Sequence, residues 1–426
     1  MSEQIRRIAV IGGSRIPFCR SNTVYAEKSN MDMLSSAIQG VVDRFSLDGV
    51  QLDEVVAGAV TTHSRDWNLA REALLSTSLS PLTSGITMQQ ACGTSLQAAM
   101  TIGAKIASGQ IECGIAAGTD TTSDPPISFS DKFSHRLVKA GAARSAKQRL
   151  GAFKGFSPAE LKPVLPANSE PRTGLSMGQH CERMAREWKI PRADQDQLAV
   201  ESHHKTAQAY DAGFFDEIVT FWGGVSRDNN MRTDSTLKKL ASLRPAFSRA
   251  SGATLTAGNS TPLTDGAAAV LLASEEWARQ QNLPIQAFLT ASRTASVDFV
   301  NDEGLLMAPT IAVAEMLQRT GLTLQDFDFY EIHEAFAAQV LCTLAAWESE
   351  DYCQNRLGLD AALGSIDRSR LNIKGSSLAV GHPFAATGAR IVSTLGQILQ
   401  ESGSGRGLIS VCTAGGMGVA AIMERN

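Results

Sequence analysis

The chain has 426 residues, of which 43% are hydrophobic and 19% charged, and its 39 basic and 43 acidic side chains give a formal net charge of −4. This apolar share is too high and the net charge too low for a disordered protein, and the charge balance argues against nucleic-acid binding. No apolar run approaches the roughly 18 residues that a membrane helix needs. A prior of about 150 residues per domain predicts two or three domains.

The ends of the sequence and the cysteines are the features that bear on the expected cellular compartment. The apolar run Ile8–Gly12 is too short for a signal peptide, and the last three residues form no targeting tripeptide. The seven cysteines are widely spaced without a CxxC pair, which favours free thiols in a reducing compartment. We therefore expect a cytoplasmic protein, with an organelle matrix as the alternative. No histidine lies at zinc-finger spacing from a cysteine, so no metal site is predicted.

Strand-like and helical segments alternate in the first part of the chain. The strand-like segments are short and apolar: Arg7–Gly12, Asp53–Val60, Gly85–Cys92 and Cys113–Gly118. The helical segments repeat apolar residues at the spacing of an α-helix: Met31–Phe45 and Thr94–Ser108. This alternation predicts an α/β layered fold with a buried sheet.

The last part of the chain repeats the same order of elements. Predicted strands occupy Ile285–Thr290 and Gly407–Cys412, the latter taken as the last strand, and a helix occupies Thr310–Thr320. A further strand, Leu371–Gly381, leads into a helix at Ala385–Gln400. The pattern predicts two copies of one α/β unit about 270 residues apart.

A segment of different amino-acid composition lies between the two copies. Residues 124–172 hold nine Lys or Arg and four Asp or Glu, a net charge of +5. A solvated basic surface is one interpretation, and a site for a phosphorylated ligand or an anionic membrane surface is the other. We divide the chain into an N-terminal half at 1–121 completed by 250–283, a loop domain at 122–249, and a C-terminal half at 284–426.

Two motifs lie where a predicted strand meets a helix, one in each copy. Cys92 precedes a helix whose N–H groups and dipole would lower its thiol pKa, which makes it a candidate nucleophile; a buried structural cysteine is the alternative. Thr94 or Ser95 is expected to cap that helix. His382 lies at the corresponding junction of the second copy. If the copies pack about a pseudo-twofold axis, His382 meets Cys92 and takes its proton, although a histidine capping a turn explains the motif equally well.

Three further motifs are less specific alone. Cys412 ends a strand before Ala414-Gly-Gly416, where glycines allow backbone to approach a ligand, although a core strand followed by a turn is the simpler explanation. His333 has no second histidine four residues on and is expected to be a hydrogen-bonding group, either structural or catalytic. The segment Thr256–Ala269 is expected to form a turn followed by an element of the core. No Gly-rich loop of the P-loop or dinucleotide type occurs, and no nucleotide cofactor is expected.

Taken together, these motifs resemble those of the thiolase family. The similar segments are Cys92-Gly, Gly381-His-Pro, Cys412-x-x-Gly-Gly and Ala257-Gly-Asn…Asp265-Gly-Ala-Ala-Ala, and the resemblance runs from Ile8 to Met423. It implies a duplicated five-layer α/β/α/β/α core with an inserted loop domain that binds coenzyme A. It also implies homo-oligomers, as dimers or dimers of dimers.

The resemblance implies a reaction: thiolytic cleavage of a 3-ketoacyl-CoA by coenzyme A through an acyl-Cys92 intermediate. His382 would take the proton of Cys92, and Cys412 would protonate the acetyl-CoA carbanion. One oxyanion site would use His382 and a water positioned by His333. The other would use the backbone N–H groups of Cys92 and Ala414. Coenzyme A is then a substrate, and no cofactor is expected.

Two positions depart from the usual family pattern, because many thiolases have Asn at His333 and Gly at Ala414. The His333-Glu-Ala-Phe form, Gly155–Glu160 and the extra stretch Glu350–Arg370 are similar to β subunits of fatty-acid-oxidation trifunctional complexes. This similarity favours fatty acid β-oxidation over acetoacetyl-CoA synthesis. The resemblance also implies three coenzyme A contacts, which are Arg232 at a phosphate and Met177 and Thr261 at the pantetheine arm.

Three alternatives remain open at this point. An acetyl-CoA acetyltransferase would make acetoacetyl-CoA with the same residues. A decarboxylating ketoacyl synthase shares the Cys–His pair but would not need Cys412. A non-catalytic coenzyme A- or lipid-binding subunit would bind without turnover. Expected partners are acyl-CoA and coenzyme A, a hydratase/dehydrogenase α subunit and a peripheral membrane surface, and not nucleic acid.

Overall fold

The structure, a computed structural model, describes residues 5–426. The first four residues of the predicted N-terminal half lie outside the described residues. Ten strands form one sheet; they are β1 (Ile8–Arg15), β2 (Cys19–Arg20), β3 (Glu54–Gly58), β4 (Ser84–Thr87), β5 (Cys113–Asp120), β6 (Thr264–Ser274), β7 (Ala287–Ser296), β8 (Phe329–Ile332), β9 (Gly405–Thr413) and β10 (Met417–Arg425).

Helices connect and cover these strands. They are α1 (Asn30–Phe45), α2 (Leu69–Leu75), α3 (Thr94–Ala107), α4 (Asp131–Gly141), α5 (Ala146–Gly151), α6 (Met177–Glu187), α7 (Arg192–Asp211), α8 (Leu237–Ala241), α9 (Glu275–Gln280), α10 (Ala308–Thr320), α11 (Ala337–Glu348), α12 (Glu350–Asn355), α13 (Ser377–Val380) and α14 (Thr387–Ser402). No helix in the described part of the chain is both long and apolar enough to cross a bilayer.

The sheet consists of two halves with matching strand order. The first half runs β4-β3-β5-β6-β1 and the second runs β7-β10-β9-β8, with β2 paired to β6. In both halves an outer strand pairs in parallel with its inner neighbour, β3 with β5 and β8 with β9, and the pairs that follow are antiparallel. The first half has an additional edge strand, β4, which pairs in parallel with β3. Only two residue pairs, Ala9 with Phe288 and Val10 with Ala287, join β1 to β7. The predicted duplication is therefore confirmed.

The two half-sheets lie on opposite sides of the central helices α3 and α14, and other helices cover the outer face of each, which produces five layers. On β10, Val419 and Ala421 pack against the central helices α3 and α14, whereas Ala420 and Ile422 face the outer helices α10 and α11. On the first half-sheet, alternate residues likewise face the central layer or the outer helices α1 and α2. A sheet covered on both faces needs nearly continuous apolar strands, as in β6. The predicted α/β/α/β/α order is confirmed.

The two central helices approach each other at their N-terminal ends. A Cβ atom added to Gly388 would lie 2.2 Å from the backbone nitrogen of Leu96, so only glycine fits there. Ser95 on α3 accepts a hydrogen bond of 2.8 Å from the backbone N–H of Ala389 on α14. This contact brings the segments that precede the two helices to one place.

The connection from β5 to β6, residues 121–263, contains helices α4 to α8 and is fixed to the core by a buried ion pair. Arg15 on β1 donates two hydrogen bonds, of 2.6 and 2.8 Å, to Asp228 in this connection. Asp228 also accepts from the backbone N–H of Phe18. The charges are compensated by paired hydrogen bonds, which is what buried ions require. The three domain limits given above stay predictions.

Three sequence-based expectations of secondary structure were wrong. Leu371–Gly381 is not a strand, because it contains the short helix α13, whose Leu378 N–H donates to the buried Glu334 carboxylate at 3.2 Å. The strand at Gly85–Cys92 ends already at Thr87. Finally, Gly407–Cys412 does not hold the last strand, since β10 follows it after a three-residue turn, Ala414–Gly416.

Candidate active site

Cys92 and His382 meet at the N-terminal ends of α3 and α14. The Sγ atom of Cys92 lies 3.1 Å from Nε2 of His382, within reach for proton transfer. His382 does not follow a strand, as the sequence suggested, but stands between α13 and a 3-10 turn at Phe384–Ala386. The geometry makes a thiol–imidazole pair.

A tight turn presents the Cys92 thiol. Ala91 has a φ of 46°, a left-handed conformation that is strained for a residue with a side chain. The hydroxyl of Thr94 supports it by accepting from the Gln90 N–H at 2.9 Å and donating to the Ala91 carbonyl at 2.7 Å. Thr94 and Ser95 therefore do not cap α3 as expected; Gly93 is the N-cap residue.

The His382 ring is held from both sides. Gly381 has a φ of 101°, and an added Cβ atom would meet the Thr264 side chain at 2.5 Å. The backbone N–H of His382 donates to Thr264 Oγ1 at 2.7 Å, where β6 begins. On the ring, Nδ1 lies 2.6 Å from Oγ1 of Thr387. These contacts leave Nε2 directed at Cys92.

Burial sets the protonation of the pair. Burial raises the pKa of Cys92 to about 12, and the backbone N–H groups of Ala414 and Cys92 offset only part of this rise. Burial, followed by the charge of Arg390, lowers the pKa of His382 to about 3. The expectation that the helix terminus lowers the thiol pKa was wrong, because desolvation outweighs the dipole. Near pH 7 the free site holds a neutral thiol and a neutral imidazole.

Cys412 is the next-to-last residue of β9 and lies in an apolar cluster beside the pair. Burial raises the pKa of Cys412 well above its ordinary value, and the neighbouring Cys92 adds to the rise. In the turn that follows, Gly415 and Gly416 have positive φ values of 77° and 69°. The N–H of Gly415 donates to the Glu170 carboxylate at 2.7 Å. Glu170 belongs to the β5–β6 connection, so that connection fixes the Cys412 turn.

His333 follows β8 and stacks near His382. The two ring centroids lie 4.2 Å apart. Nδ1 of His333 lies 2.9 Å from the Ser377 hydroxyl, whereas its buried Nε2 has no hydrogen-bond partner among residues 5–426. Burial lowers the pKa of His333 well below its ordinary value, and repulsion from the charge of Arg390, or from His382 if that ring were protonated, acts in the same direction. The ring is therefore neutral, with one nitrogen left unpaired.

Comparison with known proteins identifies the family. The model of the thiolase N-terminal domain matches residues 8–276, and that of the thiolase C-terminal domain matches residues 284–425. The chain belongs to the thiolase family. It is 40% identical to the 3-ketoacyl-CoA thiolases of Shewanella sediminis and Shewanella baltica over 424 residues, which is 98% of this chain and 97% of each relative.

Solved thiolase-family structures share the fold. The acetyl-CoA acetyltransferase of Bacillus anthracis superposes with a TM-score of 0.82 at 27% identity, over 99% of this chain and 100% of that one. The human mitochondrial 3-ketoacyl-CoA thiolase superposes with a TM-score of 0.81 over the same shares, but at 24% identity it supports the fold alone.

The three coenzyme A contacts expected from thiolase resemblance have different surroundings. Met177 begins α6 and packs against the apolar cluster that contains Cys412. Thr261 donates to the Ser377 carbonyl at 2.9 Å. Arg232 has an exposed side chain, and its backbone N–H donates to His203 at 3.2 Å. Their roles towards coenzyme A stay predictions.

Sequence reasoning missed several polar residues that shape this thiolase site. They are buried or nearly so, and contact the residues named above: Glu170, Ser377, Thr387 and Arg390. Arg390 could have been found from the sequence, because it is the only charged residue among the first twelve residues of α14. Among the described residues, no three His, Cys, Asp or Glu side chains are grouped to hold a metal ion.

Proposed function

We propose that this thiolase-family protein cleaves 3-ketoacyl-CoA with coenzyme A, giving acetyl-CoA and an acyl-CoA shortened by two carbons. The observation that carries the proposal is the placing of Cys92 3.1 Å from His382 with a second buried thiol, Cys412, beside them. A single thiol suffices for acyl transfer, whereas making or breaking a carbon–carbon bond next to a thioester without loss of carbon dioxide needs a second proton carrier. The names of the relatives at 40% identity agree with this reaction.

In the first half-reaction, Cys92 acts as the nucleophile. Its proton passes to Nε2 of His382 as sulfur bonds to the keto carbon, because neither group is ionised beforehand. Collapse of the tetrahedral oxyanion breaks the carbon–carbon bond, leaves the acyl group on Cys92 and releases the acetyl-CoA carbanion. Cys412 donates its proton to that carbon. Dividing one difficult step into two easier ones is the benefit of covalent catalysis.

In the second half-reaction, coenzyme A takes the acyl group. Its thiol proton passes to the Cys412 thiolate as its sulfur attacks the acyl carbon. Cys92 leaves and recovers its proton from His382, which returns both residues to their starting states. The raised pKa of Cys412 also suits the reverse reaction, in which its thiolate takes a proton from the weakly acidic C–H bond of acetyl-CoA.

Two groups of donors are proposed for the oxyanions. The backbone N–H groups of Ala414 and Cys92, which lower the pKa of the Cys92 thiol, support one of these groups. Alanine at 414 keeps that N–H, so the departure from glycine costs no donor. His382 and a water positioned by His333 would form the other site. Each such donor contributes roughly 10²- to 10³-fold to kcat in well-studied enzymes.

We place coenzyme A on the β5–β6 connection, with Arg232 at a phosphate and Met177 and Thr261 along the pantetheine arm, and expect no other cofactor.

The pathway proposed is fatty acid β-oxidation in a reducing compartment such as a bacterial cytoplasm, which the unpaired cysteines suit. A homodimer or dimer of dimers is the expected assembly, with a hydratase/dehydrogenase α subunit as further partner. A peripheral membrane contact is supported by Val138 and Leu150, 72% and 76% exposed among basic residues of 124–172.

The first experiment compares two substrates. Purified protein is assayed for thiolysis of acetoacetyl-CoA and of a long-chain 3-ketoacyl-CoA at equal concentration. A preference for the long substrate supports the β-oxidation role, whereas exclusive use of acetoacetyl-CoA indicates an acetyl-CoA acetyltransferase. Turnover of neither, alone or with a hydratase/dehydrogenase subunit added, would leave the non-catalytic subunit as the better description.

A second experiment separates cleavage from decarboxylating condensation. Cys412→Ala is expected to abolish exchange of the acetyl-CoA α-protons with deuterated water while Cys92 is still acylated by acetyl-CoA. Cys353→Ala, a buried thiol on α12 outside the site, is the matched control and should exchange at the normal rate. Proton exchange that persists in Cys412→Ala would remove the role given to this residue.

A further inference from the structure

The two adjacent imidazoles have similar surroundings with one difference. Each histidine presents Nδ1 to a single hydroxyl, His333 to Ser377 at 2.9 Å and His382 to Thr387 at 2.6 Å. A hydroxyl can donate or accept, so the direction of each bond depends on what else the hydroxyl contacts. That direction decides which ring nitrogen carries the proton.

Arg390 makes the Ser377 hydroxyl oxygen a hydrogen-bond acceptor. Its Nη2 atom donates to the Ser377 hydroxyl oxygen at 2.8 Å and to that of Ser376 at 3.2 Å. A guanidinium group has donors only, so this bond cannot reverse. The Ser377 proton is therefore free to point elsewhere, and the other partner of its oxygen among the described residues is Nδ1 of His333. Ser377 then donates to Nδ1, and the ring proton of His333 sits on Nε2.

The charge of Arg390 is retained in this position. The residue is 2% exposed, and Glu331 is its nearest carboxylate at 3.9 Å. Burial lowers the pKa of Arg390 only to about 10, so the guanidinium stays charged near pH 7. Its positive charge also disfavours a second proton on the His333 ring. His333 is held in one neutral form.

Among the described residues no arginine donates a hydrogen bond to the Thr387 hydroxyl, and the bond to His382 runs the other way. Nε2 of His382 must offer a lone pair to accept the Cys92 proton, so the ring proton lies on Nδ1 and is donated to Thr387. After proton transfer the same Nδ1–H bond remains in place. Two hydroxyls on neighbouring elements thus select opposite forms of two rings whose centroids are 4.2 Å apart.

We propose that Arg390 and Ser377 are positioning residues that lock His333 in the Nε2–H tautomer, opposite to that of His382. Nε2 of His333 is buried and has no hydrogen-bond partner among residues 5–426, so its N–H is then a permanent donor for an oxyanion or for the water that stabilises it. The target of this donor and the tautomer of His382 depend on the function proposed above, whereas the tautomer of His333 does not.

The tautomer is tested directly by ¹⁵N NMR of protein labelled at its seven histidines. In the wild type we expect a protonated Nε2 and an unprotonated Nδ1 for His333, and the reverse for His382; His333→Asn and His382→Asn assign the signals. In Ser377→Ala we expect the His333 signals to move towards a mixture of tautomers. A protonated Nδ1 on His333 in the wild type would overturn the proposal, whether or not the protein shows thiolase activity.

Kinetics test the consequence. Ser377→Ala is expected to lower kcat for thiolysis about 10- to 100-fold, with KM changed less than about twofold, since the lost donor acts mainly in the transition state. Ser377→Thr, which keeps the hydroxyl, should recover most of the loss. Ser393→Ala is the matched control, because this buried serine on the same helix as Arg390 has a hydroxyl without a hydrogen-bond partner in the described chain.

A double-mutant cycle separates the tautomer from a structural role. An asparagine at 333 has an NH₂ donor whatever its neighbour does. Ser377→Ala should therefore cost less than about threefold in kcat when made on His333→Asn. An equal loss in both backgrounds would mean that Ser377 only supports the local fold and would overturn the proposal.

Discussion

The two halves of the molecule carry the same order of strands but join the last two strands differently. In the first half, residues 121–263 separate β5 from β6, and five helices lie between them. In the second half, the equivalent strands β9 and β10 are joined by Ala414–Gly416 alone. The long connection supplies Glu170, and the short one supplies Gly415. The backbone N–H of Gly415 donates a hydrogen bond of 2.7 Å to the Glu170 carboxylate.

The segments before the two central helices also differ, and each supplies a reactive group that the other lacks. Before α3 the chain makes a strained turn at Ala91 and presents a thiol, and before α14 it makes a left-handed turn at Gly381 and presents an imidazole. Neither half holds a complete site. The duplication supplies two similar frameworks that face each other, and the chemistry arises from the residues by which they differ.

The largest expected effect comes from removing the group that only the first junction provides. Cys92→Ala should lower kcat for thiolysis by at least about 10⁴-fold, since the covalent intermediate cannot form. The assay is thiolysis of the preferred substrate, with folding checked by circular dichroism. Cys113→Ala, another buried cysteine of the first half, should retain activity. Residual activity above about 1% in Cys92→Ala would place the nucleophile elsewhere.

The next effect concerns the short turn of the second half. Ala414→Pro removes the backbone N–H that lies at the Cys92 sulfur and should lower kcat roughly 10²- to 10³-fold. Ala414→Gly keeps this N–H and should stay within about threefold of the wild type. Both variants are measured with the same substrate at saturation. Similar losses in the two would show that the turn needs the alanine side chain and not its N–H.

A third effect distinguishes a neutral pair from an ion pair. Because burial raises the pKa of Cys92 to about 12, the thiolate fraction should rise about tenfold per pH unit between pH 7 and 10. The rate of alkylation of Cys92 by iodoacetamide, followed by mass spectrometry, should rise in parallel. Cys92→Ser gives the background from the other thiols. A plateau that begins near pH 7 would indicate a preformed thiolate–imidazolium pair.

The smallest expected effect is on stability, where the two halves touch. Gly388→Ala places a Cβ atom 2.2 Å from the backbone of Leu96 and should destabilise the fold by about 1–3 kcal/mol. Gly141→Ala, at the end of α4 with no atom within 4 Å of the added Cβ, should be neutral or slightly stabilising. Urea unfolding at equal protein concentration measures both. Equal midpoints would mean that α3 and α14 can move apart without cost.

The sequence predicted the framework well, because periodicity and motif order depend on neighbouring residues. The helices α1, α3 and α10 lie within two residues of their predicted limits. The segment before His382 was misjudged because its buried serines bind partners distant in sequence. Ser377 is held by Arg390 on α14, and no local pattern reports that contact.

The protonation of the site was also beyond local reasoning. The helix N-terminus that follows Cys92 predicted a lowered thiol pKa, and that inference is sound for an exposed thiol. Here the second half of the chain covers the junction, and desolvation becomes the larger effect. The direction of the shift therefore depends on how the halves pack, which the sequence of either half does not contain.

The position of β1 has a consequence for how the chain is made. This strand pairs with β6 through residues such as Ile8 with Ser274, and with β7 on its other edge. Both partners leave the ribosome more than 250 residues later, which at about 5–20 residues per second is roughly 10–50 s. During that time an apolar strand at the start of the chain has no partner, so synthesis in a cell-free system without chaperones should lose nascent chains to aggregation before residue 296 emerges.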